Sequence, residues 1–458
     1  MNNRVHFFLI SLSAVLYGSA YVCPVYLWWT VLIFLVPLYY LVLHNKIGWI
    51  DGILWSCIAF SLHLSGVLEG LFATAQGPLA LRILVPLLVL LLAVAYGVIW
   101  FIITQWLMHL VGYHYRLGTC IVTTWLFFLW LEHGCIFMLG AWEGYILCNP
   151  LIPLVQYPPL LYYMPIIGPA VFLLFFIVTQ VAIAACVAQR LHVMWPFFLL
   201  SMWGSGVVLW YTEKRVGYTC PPLTCGTAFF RSFDNITLNG RVVRDYSKEL
   251  LHMYPETEII LFPETALRCP LVPGEPDIIA LWGSDHLDKP VTFLIGGFRW
   301  DNDIYRNTVY WIHDGKVIDL FDKRHTMALT ERAPSEFLLG NVPLIKKVYF
   351  EKFPGIVPHK QPRPVWNITP YLTIIPYICS ELFFNNKPDH QPVDGAIIMA
   401  LCNDHWLARD YMRYQMFMGA RYRGIQWQIP IIYVAHFYQG LCEPDGNLVP
   451  LAVFRHNL

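Results

Sequence analysis

Three residues that could act together as a nucleophile, a base and a cation each follow a short apolar run. Cys379 comes after the run that begins at Leu372, Glu264 after the run from 258 to 262, and Lys323 after a run ending at Phe321. A cysteine becomes an effective nucleophile when a base can accept its proton and a cation can stabilise the developing oxyanion. Taken singly, each has an ordinary interpretation: a buried structural thiol, a solvated carboxylate and a solvated lysine. Their common position after apolar runs favours a shared site.

These side chains need strands to position them, and residues 213–458 contain the expected alternation of strands and helices. Predicted strands cover 258–262, 291–297, 307–312, 317–320, 372–378, 395–401 and 431–435, with predicted helices at 239–254 and about 408–426. Asp314-Gly315 separates two of the strands and predicts a hairpin whose second arm delivers Lys323. Strands that alternate with helices predict an α/β sandwich. Gly296 and Gly297 would allow a close backbone approach at the end of one strand.

The first 212 residues have a different composition. Of the whole chain, 57% is hydrophobic and 13% charged, whereas soluble proteins carry about 25% charged residues. Because this half carries few charges, it contains several apolar stretches, each close in length to the roughly 20 residues that a bilayer span requires. We therefore predict a membrane domain of about seven transmembrane helices over 1–212 and an external domain over 213–458. The candidate spans are 5–22, 25–44, 48–68, 82–110, 118–138, 166–188 and 194–212.

The basic residues of the short loops predict the orientation. Arg4, Lys46, Arg116 and Arg190 fall on one side of the seven spans, which the positive-inside rule makes cytoplasmic. Residues 213–458 are then external, which is periplasmic in a Gram-negative bacterium. Ionisable groups in the middle of spans are scarce, which argues against a transporter. The net charge of zero gives no indication of nucleic-acid binding.

The twelve cysteines are too sparse for a disulfide scaffold, and none forms a Cys/His pattern typical of zinc. The sequence therefore predicts no metal. Cys220 and Cys225 are close enough to pair in an oxidising compartment, although two unpaired thiols are at least as consistent with the sequence.

Three short segments resemble the nitrilase superfamily of carbon–nitrogen hydrolases. They are Pro263-Glu264-Thr265-Ala266, Phe321-Asp322-Lys323-Arg324-His325 with Glu331 eight residues after the lysine, and Ile378-Cys379-Ser380-Glu381. Several spans followed by such a domain resemble the apolipoprotein N-acyltransferase family, and Gly140-Ala141-Trp142 with Gly144-Tyr145 is similar to a membrane-loop motif of that family. Membrane proteins encoded with conjugal-transfer genes share this architecture, and the chain could be a divergent member related to them.

The resemblance implies a nitrilase-like sandwich and a role for each site residue. Glu264 would be the general base, Cys379 the nucleophile and Lys323 the oxyanion partner. Glu331 would orient Lys323 or the incoming amine, and Glu381 would support the pocket beside the nucleophile.

The implied reaction takes an acyl chain from a phospholipid onto Cys379 and passes it to the N-terminal amine of a lipoprotein. It would need no cofactor and would occur at the bacterial inner membrane, with the catalytic domain on the periplasmic side.

Some segments depart from the family pattern. Ser380 stands where the family has tyrosine, and Asn403-Asp404-His405-Trp406-Leu407-Ala408 replaces Asn-Asp-x-Trp-Phe-Gly. These differences leave open a membrane-anchored amidase or acyltransferase with another acceptor. A non-catalytic protein that kept the fold is a third hypothesis, and the intact Glu264, Lys323 and Cys379 argue against it. The segments 326–334 and 349–363 could form a mobile lid that rests on the bilayer, or could pack on the domain's own core.

Overall fold

The computed structural model describes two compact units, and each is considered separately. The helix unit comprises residues 1–135, 144–216 and 406–426, and the sheet unit comprises 136–143, 217–405 and 427–458. The domain boundary predicted at residue 213 stays a prediction, but 406–426 group with the helix unit. The described residues are 2–44, 47–74, 79–111, 115–133, 146–213, 225–227, 245, 247–271, 290–301, 304–314, 316–326, 331, 356–383, 395–407 and 409–451.

The helix unit consists of apolar helices joined by short turns. The α-helices are α1 (Asn3–Val22), α2 (Pro24–Leu27), α3 (Leu35–Leu43), α4 (Trp49–Thr74), α5 (Leu79–Leu110), α6 (Arg116–His133), α7 (Met164–Ile167), α8 (Pro169–Val187), α9 (Met194–Thr212) and α10 (Asp410–Trp427). Short 3-10 helices cover Trp28–Leu32, Ile146–Cys148, Ile152–Gln156 and Pro158–Leu161.

Five segments within the described residues are long and apolar enough to cross a bilayer: Asn3–Val22, Pro24–Leu43, Trp49–Ala73, Arg82–Leu110 and Pro169–Val187. They match five of the seven predicted spans. The other two predicted spans are helical, as α6 and α9, but are less apolar. Arg116, Glu132 and His133 occur in α6, and tryptophan, glycine and serine lower the hydropathy of α9. Several apolar helices are therefore present, and the count of seven spans stays a prediction.

The helix α10 packs among the apolar helices through polar contacts. Gln415 Nε2 donates to the carbonyl oxygen of Tyr21 on α1 at 3.1 Å, and Gln156 Nε2 donates to the Tyr414 hydroxyl at 3.0 Å. At the exposed N-terminal side, Arg409 forms two hydrogen bonds of 2.6 Å with Glu69 on α4. The sequence predicted this helix but did not indicate that it packs with the apolar segments.

The first sheet of the sheet unit has the order β1-β2-β3-β4-β5. Its strands are β1 (Cys225–Thr227), β2 (Ile259–Leu271), β3 (Thr292–Asp301), β4 (Ile304–His313) and β5 (Lys316–Asp322). The pairs β1–β2 and β2–β3 are parallel, whereas the pairs β3–β4 and β4–β5 are antiparallel. The predicted hairpin is confirmed, because β4 pairs with β5 through Thr308 opposite Asp322 and turns at Asp314.

The second sheet has the order β11-β10-β9-β8-β7-β6. Its strands are β6 (Trp366–Thr369), β7 (Leu372–Ile378), β8 (Ala396–Leu401), β9 (Ile431–Val434), β10 (Gln439–Cys442) and β11 (Leu448–Val449). The central strands β7, β8 and β9 are parallel and buried along their lengths, which explains their continuous apolar runs. Each sheet therefore has parallel strands whose carboxyl ends lie at one edge.

The core of the first sheet forms against the described part of the predicted helix at 239–254. Residues 247–253 are helical, and Leu250 packs against Ile260 and Phe262 of β2 and Phe293 of β3. On the other side, Trp311 of β4 lies 5.8 Å from Trp366 of the second sheet, measured between ring centroids. These contacts produce the layered α/β arrangement that the sequence predicted.

Candidate active site

Glu264 lies in an irregular part of β2 rather than at its end. The strand pairs regularly with β3 up to Phe262 opposite Ile295, and pairing resumes at Leu267 opposite Gly297. The expectation that this strand stops at Glu264 was therefore wrong, because the chain bulges and then continues to Leu271. Bulges redirect side chains beside functional sites. Thr265, with a φ of 62°, is in the left-handed region, so the backbone turns sharply next to the carboxylate.

Gly296 makes this bulge possible by its lack of a side chain. A Cβ at Gly296 would lie 2.5 Å from Glu264 Cα and 2.7 Å from the carbonyl oxygen of Pro263. No real Cβ tolerates such distances, so β3 can approach the bulge only with glycine here. The predicted close backbone approach is confirmed, and it lies directly against the segment that carries Glu264.

Lys323 follows β5 without a break, and its backbone is fixed by β4. Its N–H donates to the carbonyl oxygen of Asn307 at 2.8 Å. The preceding residue, Asp322, is anchored as well, because Thr308 Oγ1 donates to it at 2.7 Å and Arg299 forms a two-point contact with it. The hairpin therefore holds Lys323 from both sides, and its side chain is 1% exposed.

Cys379 is the first residue after β7 and begins the 3-10 helix Cys379–Leu382. Its φ of 47° is rare for a residue with a side chain, and such strain occurs preferentially at functional sites. The register pairs Ile378 with Leu401, so that Cys379 and Cys402 follow neighbouring parallel strands. The thiols of Cys379 and Cys402 interact, and the thiol of Cys379 also interacts with the Glu264 carboxylate.

The structure brings Glu264, Lys323, Glu331 and Cys379 into one buried cluster. Lys323 Nζ lies 3.1 Å from Glu264 Oε1 and 2.8 Å from Glu331 Oε1. Asn307 Nδ2 donates to the same two oxygens at 2.6 and 2.9 Å. Two carboxylates thus share one lysine and one amide donor, which is the pairing that makes buried charges tolerable.

Burial is the largest influence on the pKa of Glu264, and it raises that pKa. The positive charge of Lys323 acts in the opposite direction, Glu331 acts in the same direction, and the net shift is upward. Burial by itself would lower the pKa of Lys323, but Glu264 and Glu331 outweigh it and the pKa is raised. Lys323 therefore stays charged at neutral pH, and Glu264 is a stronger base than an exposed glutamate.

The pKa of the Cys379 thiol is raised, chiefly by its hydrogen bond with Cys402, and further by burial and the charge of Glu264. A negative neighbour disfavours a second negative charge, so the resting cysteine is a thiol. Proton removal must then accompany attack, and Glu264 lies where it can accept that proton.

Both carboxylate oxygens of Glu381 accept hydrogen bonds from backbone N–H groups. Its Oε1 accepts from the N–H groups of Arg324 at 2.7 Å and His325 at 3.3 Å, and its Oε2 accepts from that of Ile378 at 2.8 Å. Ser380 is buried, with its hydroxyl 3.4 Å from the His325 carbonyl oxygen. Glu381 therefore joins the segment after Lys323 to the end of β7.

Sequence reasoning missed Asn307 and Arg363. Asn307 was read as the start of an apolar strand, and the signal was a polar side chain in a run that is otherwise buried. Arg363 was included only as the end of a predicted lid.

The motif at 140–145 and Cys220 lie outside the described residues, as does 349–355 of the predicted lid.

The chain is partly similar to curated proteins named apolipoprotein N-acyltransferase. It is 27% identical over 182 residues to that of Rhizobium rhizogenes strain K84, which covers 38% of this chain and 33% of the relative. It is 27% identical over 200 residues to that of Agrobacterium fabrum, with 42% and 37% covered. The match to the Bradyrhizobium diazoefficiens protein is 29% over 206 residues, again with 42% and 37% covered. The chain thus spans about a third of the length of the relatives it matches. No protein-family model matches.

Solved structures of carbon–nitrogen hydrolase proteins overlap with about half of the chain. A glutamine-dependent NAD+ synthetase from Acinetobacter baumannii superposes with a TM-score of 0.36 at 15% identity, covering 49% of this chain and 42% of that one. Nit3 of Saccharomyces cerevisiae, described as a member of branch 10 of the nitrilase superfamily, superposes with a TM-score of 0.34 at 16% identity, covering 48% and 82%.

Proposed function

We propose that this protein is a membrane N-acyltransferase that uses Cys379 to move an acyl chain from a phospholipid to the N-terminal amine of a lipoprotein. The observation that supports it most is the buried cluster in which Lys323 contacts Glu264 and Glu331 while the Cys379 thiol interacts with Glu264. The partial similarity to proteins named apolipoprotein N-acyltransferase supports acyl transfer over other reactions of a cysteine nucleophile.

In the proposed first step, Cys379 Sγ attacks the ester carbonyl of the phospholipid while Glu264 accepts the thiol proton. Lys323 stabilises the negative charge that develops on the carbonyl oxygen. The tetrahedral intermediate then breaks its carbon–oxygen bond to the glycerol, Glu264 returns the proton to the leaving oxygen, and a lysophospholipid departs. The thioester remains on Cys379.

In the second step, the amine of the lipoprotein attacks the thioester and Glu264 accepts a proton from it. The carbon–sulfur bond breaks, the proton passes to Cys379, and an amide is released. Glu331 holds Lys323 at 2.8 Å and is the second carboxylate beside the reacting groups. Both substrates carry lipid chains, so a site attached to apolar helices suits both steps.

The main alternative is a membrane-anchored amidase or an acyltransferase with a different acceptor, and Ser380 in place of tyrosine is the observation that keeps it open. The two functions differ in how the thioester behaves. A transferase must exclude water until the amine arrives, whereas a hydrolase does not.

The test is to give purified protein a phospholipid without an acceptor and to measure the intact mass. We expect an acyl-sized increase on Cys379 that disappears when a diacylated lipopeptide is added, with the acyl group recovered on the peptide amine. Rapid release of free fatty acid without an acceptor, or the absence of any acyl adduct, would instead favour the alternative function.

We further propose that residues 213–458 face the periplasm at the inner membrane, from the distribution of Arg4, Lys46, Arg116 and Arg190. A reporter that is active only outside the cytoplasm, fused after Thr212, should be active. A reporter that requires the cytoplasm provides the control, and its activity there would contradict this orientation.

A further inference from the structure

We infer that Arg363 is a positioning residue, which acts through Glu381 to fix the Lys323 segment relative to the Cys379 segment. This inference rests on the proposed roles of Lys323 and Cys379. It starts from a geometric requirement of the fold: Glu264 and Lys323 belong to the first sheet, whereas Cys379 belongs to the second. Some group must hold the two sheet edges in register, because a displacement of about 1 Å in a reacting group can reduce a rate roughly 100-fold.

Arg363 lies between the two strands that carry Lys323 and Cys379. Its guanidinium carbon is 3.6 Å from the ring centroid of Tyr377 on β7 and 4.8 Å from that of Phe321 on β5. Both rings are buried, and Arg363 itself is 4% exposed. A planar guanidinium can stack on aromatic faces while its edge donates hydrogen bonds, and its positive charge lies beside the carboxylate that accepts one of them.

The hydrogen bonds of Arg363 lead to the same junction. Its Nη1 donates to Glu381 Oε2 at 3.0 Å and to the carbonyl oxygen of Pro376 on β7 at 2.5 Å. Glu381 in turn accepts from the backbone of Arg324, directly after Lys323, and from Ile378, directly before Cys379. One carboxylate thus links both catalytic segments, and Arg363 is the cation that lies against it.

The strap (residues 356–363) that carries Arg363 is also bound to the first sheet. His359 N–H donates to the carbonyl oxygen of Lys323 at 2.9 Å, and Ile356 N–H donates to that of Glu331 at 2.8 Å. This part of the predicted lid therefore packs on the sheet unit itself, which was the second of the two alternatives. Its backbone contacts Lys323 and Glu331, two of the three residues whose side chains meet at Lys323 Nζ.

The charge on Glu381 depends on its surroundings. Burial acts to raise its pKa, but the positive charge and hydrogen bond of Arg363 outweigh burial, with further contributions from Ile378 N–H and His325, so the pKa is lowered. Among the described residues, Arg363 and His325 are the charged or titratable side chains that act on it. Loss of Arg363 removes the two leading influences that oppose burial, so we expect the pKa of Glu381 to rise. Below that raised pKa, Glu381 is protonated and loses acceptor strength toward Arg324 and Ile378.

The experiment is to measure the rate of Cys379 alkylation by iodoacetamide against pH, in wild type, Arg363→Gln and Arg363→Lys. At low pH we expect Cys379 of Arg363→Gln to be alkylated at least about tenfold more slowly than in wild type. At higher pH, where Glu381 ionises, the alkylation rate should return toward that of wild type. Arg363→Lys keeps a positive charge, so its pH profile should follow that of wild type. Because alkylation requires no acyl substrate, it tests Arg363 even if the proposed acyl transfer fails.

Two controls separate positioning from general stability. Trp366→Phe removes one partly buried hydrogen bond, the 2.8 Å contact with Asp319, and leaves the hydrogen bonds of Glu381 in place. It should lower the melting temperature without changing the pH profile. His325→Gln, made in wild type and in each Arg363 variant, removes the other titratable side chain that acts on Glu381. The fall in alkylation rate at low pH that Arg363→Gln introduces should remain. If Arg363→Gln melts earlier but keeps the wild-type pH profile, or if Arg363→Lys behaves like Arg363→Gln, the inference is wrong.

Discussion

Ile99 on α5 and Ile318 on β5 are similarly exposed, at 46% and 50%, but their neighbourhoods differ. The helix unit exposes many large apolar side chains, as on α9 where Phe197 is 73% exposed. The described part of the sheet unit exposes few such side chains, and its buried charges are paired, as for Lys323 and Glu381, which are each 1% exposed. An exposed apolar surface is stable against lipid, whereas a buried charge is stable only when it is paired. We therefore expect lipid to surround the exposed apolar faces of the helix unit and water to surround the sheet unit.

The largest effect should come from the buried reactive cluster. Cys379→Ser should reduce turnover by roughly 10³-fold or more, because serine is a poorer nucleophile and Glu264 must remove its less acidic proton. Cys402→Ala, which changes the thiol on the neighbouring strand, is the matched control and should have a much smaller effect. Turnover would be measured as acyl transfer to a lipopeptide, and near-normal turnover of Cys379→Ser would contradict the assignment of the nucleophile.

The second prediction concerns pH. Glu264 acts as a base only when ionised, and its pKa is raised, so activity should begin to fall with decreasing pH above the usual glutamate value of about 4.3. Lys323, whose pKa is also raised, should stay charged through the alkaline range.

Measurement of kcat/KM against pH would locate this acid limb. Glu264→Gln should lose roughly 10²- to 10⁴-fold in rate and show no such limb. An acid limb at the ordinary glutamate value would mean that the burial of Glu264 does not control its pKa.

The third prediction compares the two isoleucines directly. Ile99→Asp, near the middle of a segment apolar enough to span a bilayer, should destabilise membrane insertion by about 3 kcal/mol. Ile318→Asp, on an edge strand, should change stability by less than about 1 kcal/mol. The readouts are the amount of full-length protein in the membrane fraction and the melting temperature. Equal effects at both positions would contradict the assignment of different solvents to the two units.

The smallest expected effect is on stability, and it comes from a comparison of two glycine-to-alanine substitutions. Gly296→Ala should destabilise the fold by about 1–3 kcal/mol and lower activity, because its Cβ would collide with the backbone at Glu264. Gly204→Ala, on α9, meets no atom within 4 Å and should be neutral or stabilise by up to about 1 kcal/mol. Thermal unfolding in detergent and the rate of acyl transfer would be compared. A stable and fully active Gly296→Ala would show that the bulge does not need this close approach.

The sequence by itself indicated the class of each unit and, through the family resemblance, Glu264, Lys323, Glu331 and Cys379, but not Asn307, which donates to both carboxylates. Composition separated an apolar half from an ordinary one, because bilayer spans and soluble strands need different apolar spacing. Local patterns also identified the hairpin before Lys323 and the strand before Cys379, since turn residues and apolar runs act over short distances. These signals depend only on residues that are neighbours in sequence, so they can be recognised without knowledge of the tertiary contacts.

Only the tertiary structure decided how those residues interact. The raised pKa of Cys379 comes from Cys402, from burial and from Glu264, which lies 115 positions earlier in the chain. The bulge at Glu264 depends on Gly296 of the next strand, and Arg363 joins two sheets that no local pattern relates. Charge pairing, burial and backbone approach depend on distances in space, and those distances are fixed only when strands far apart in sequence come together.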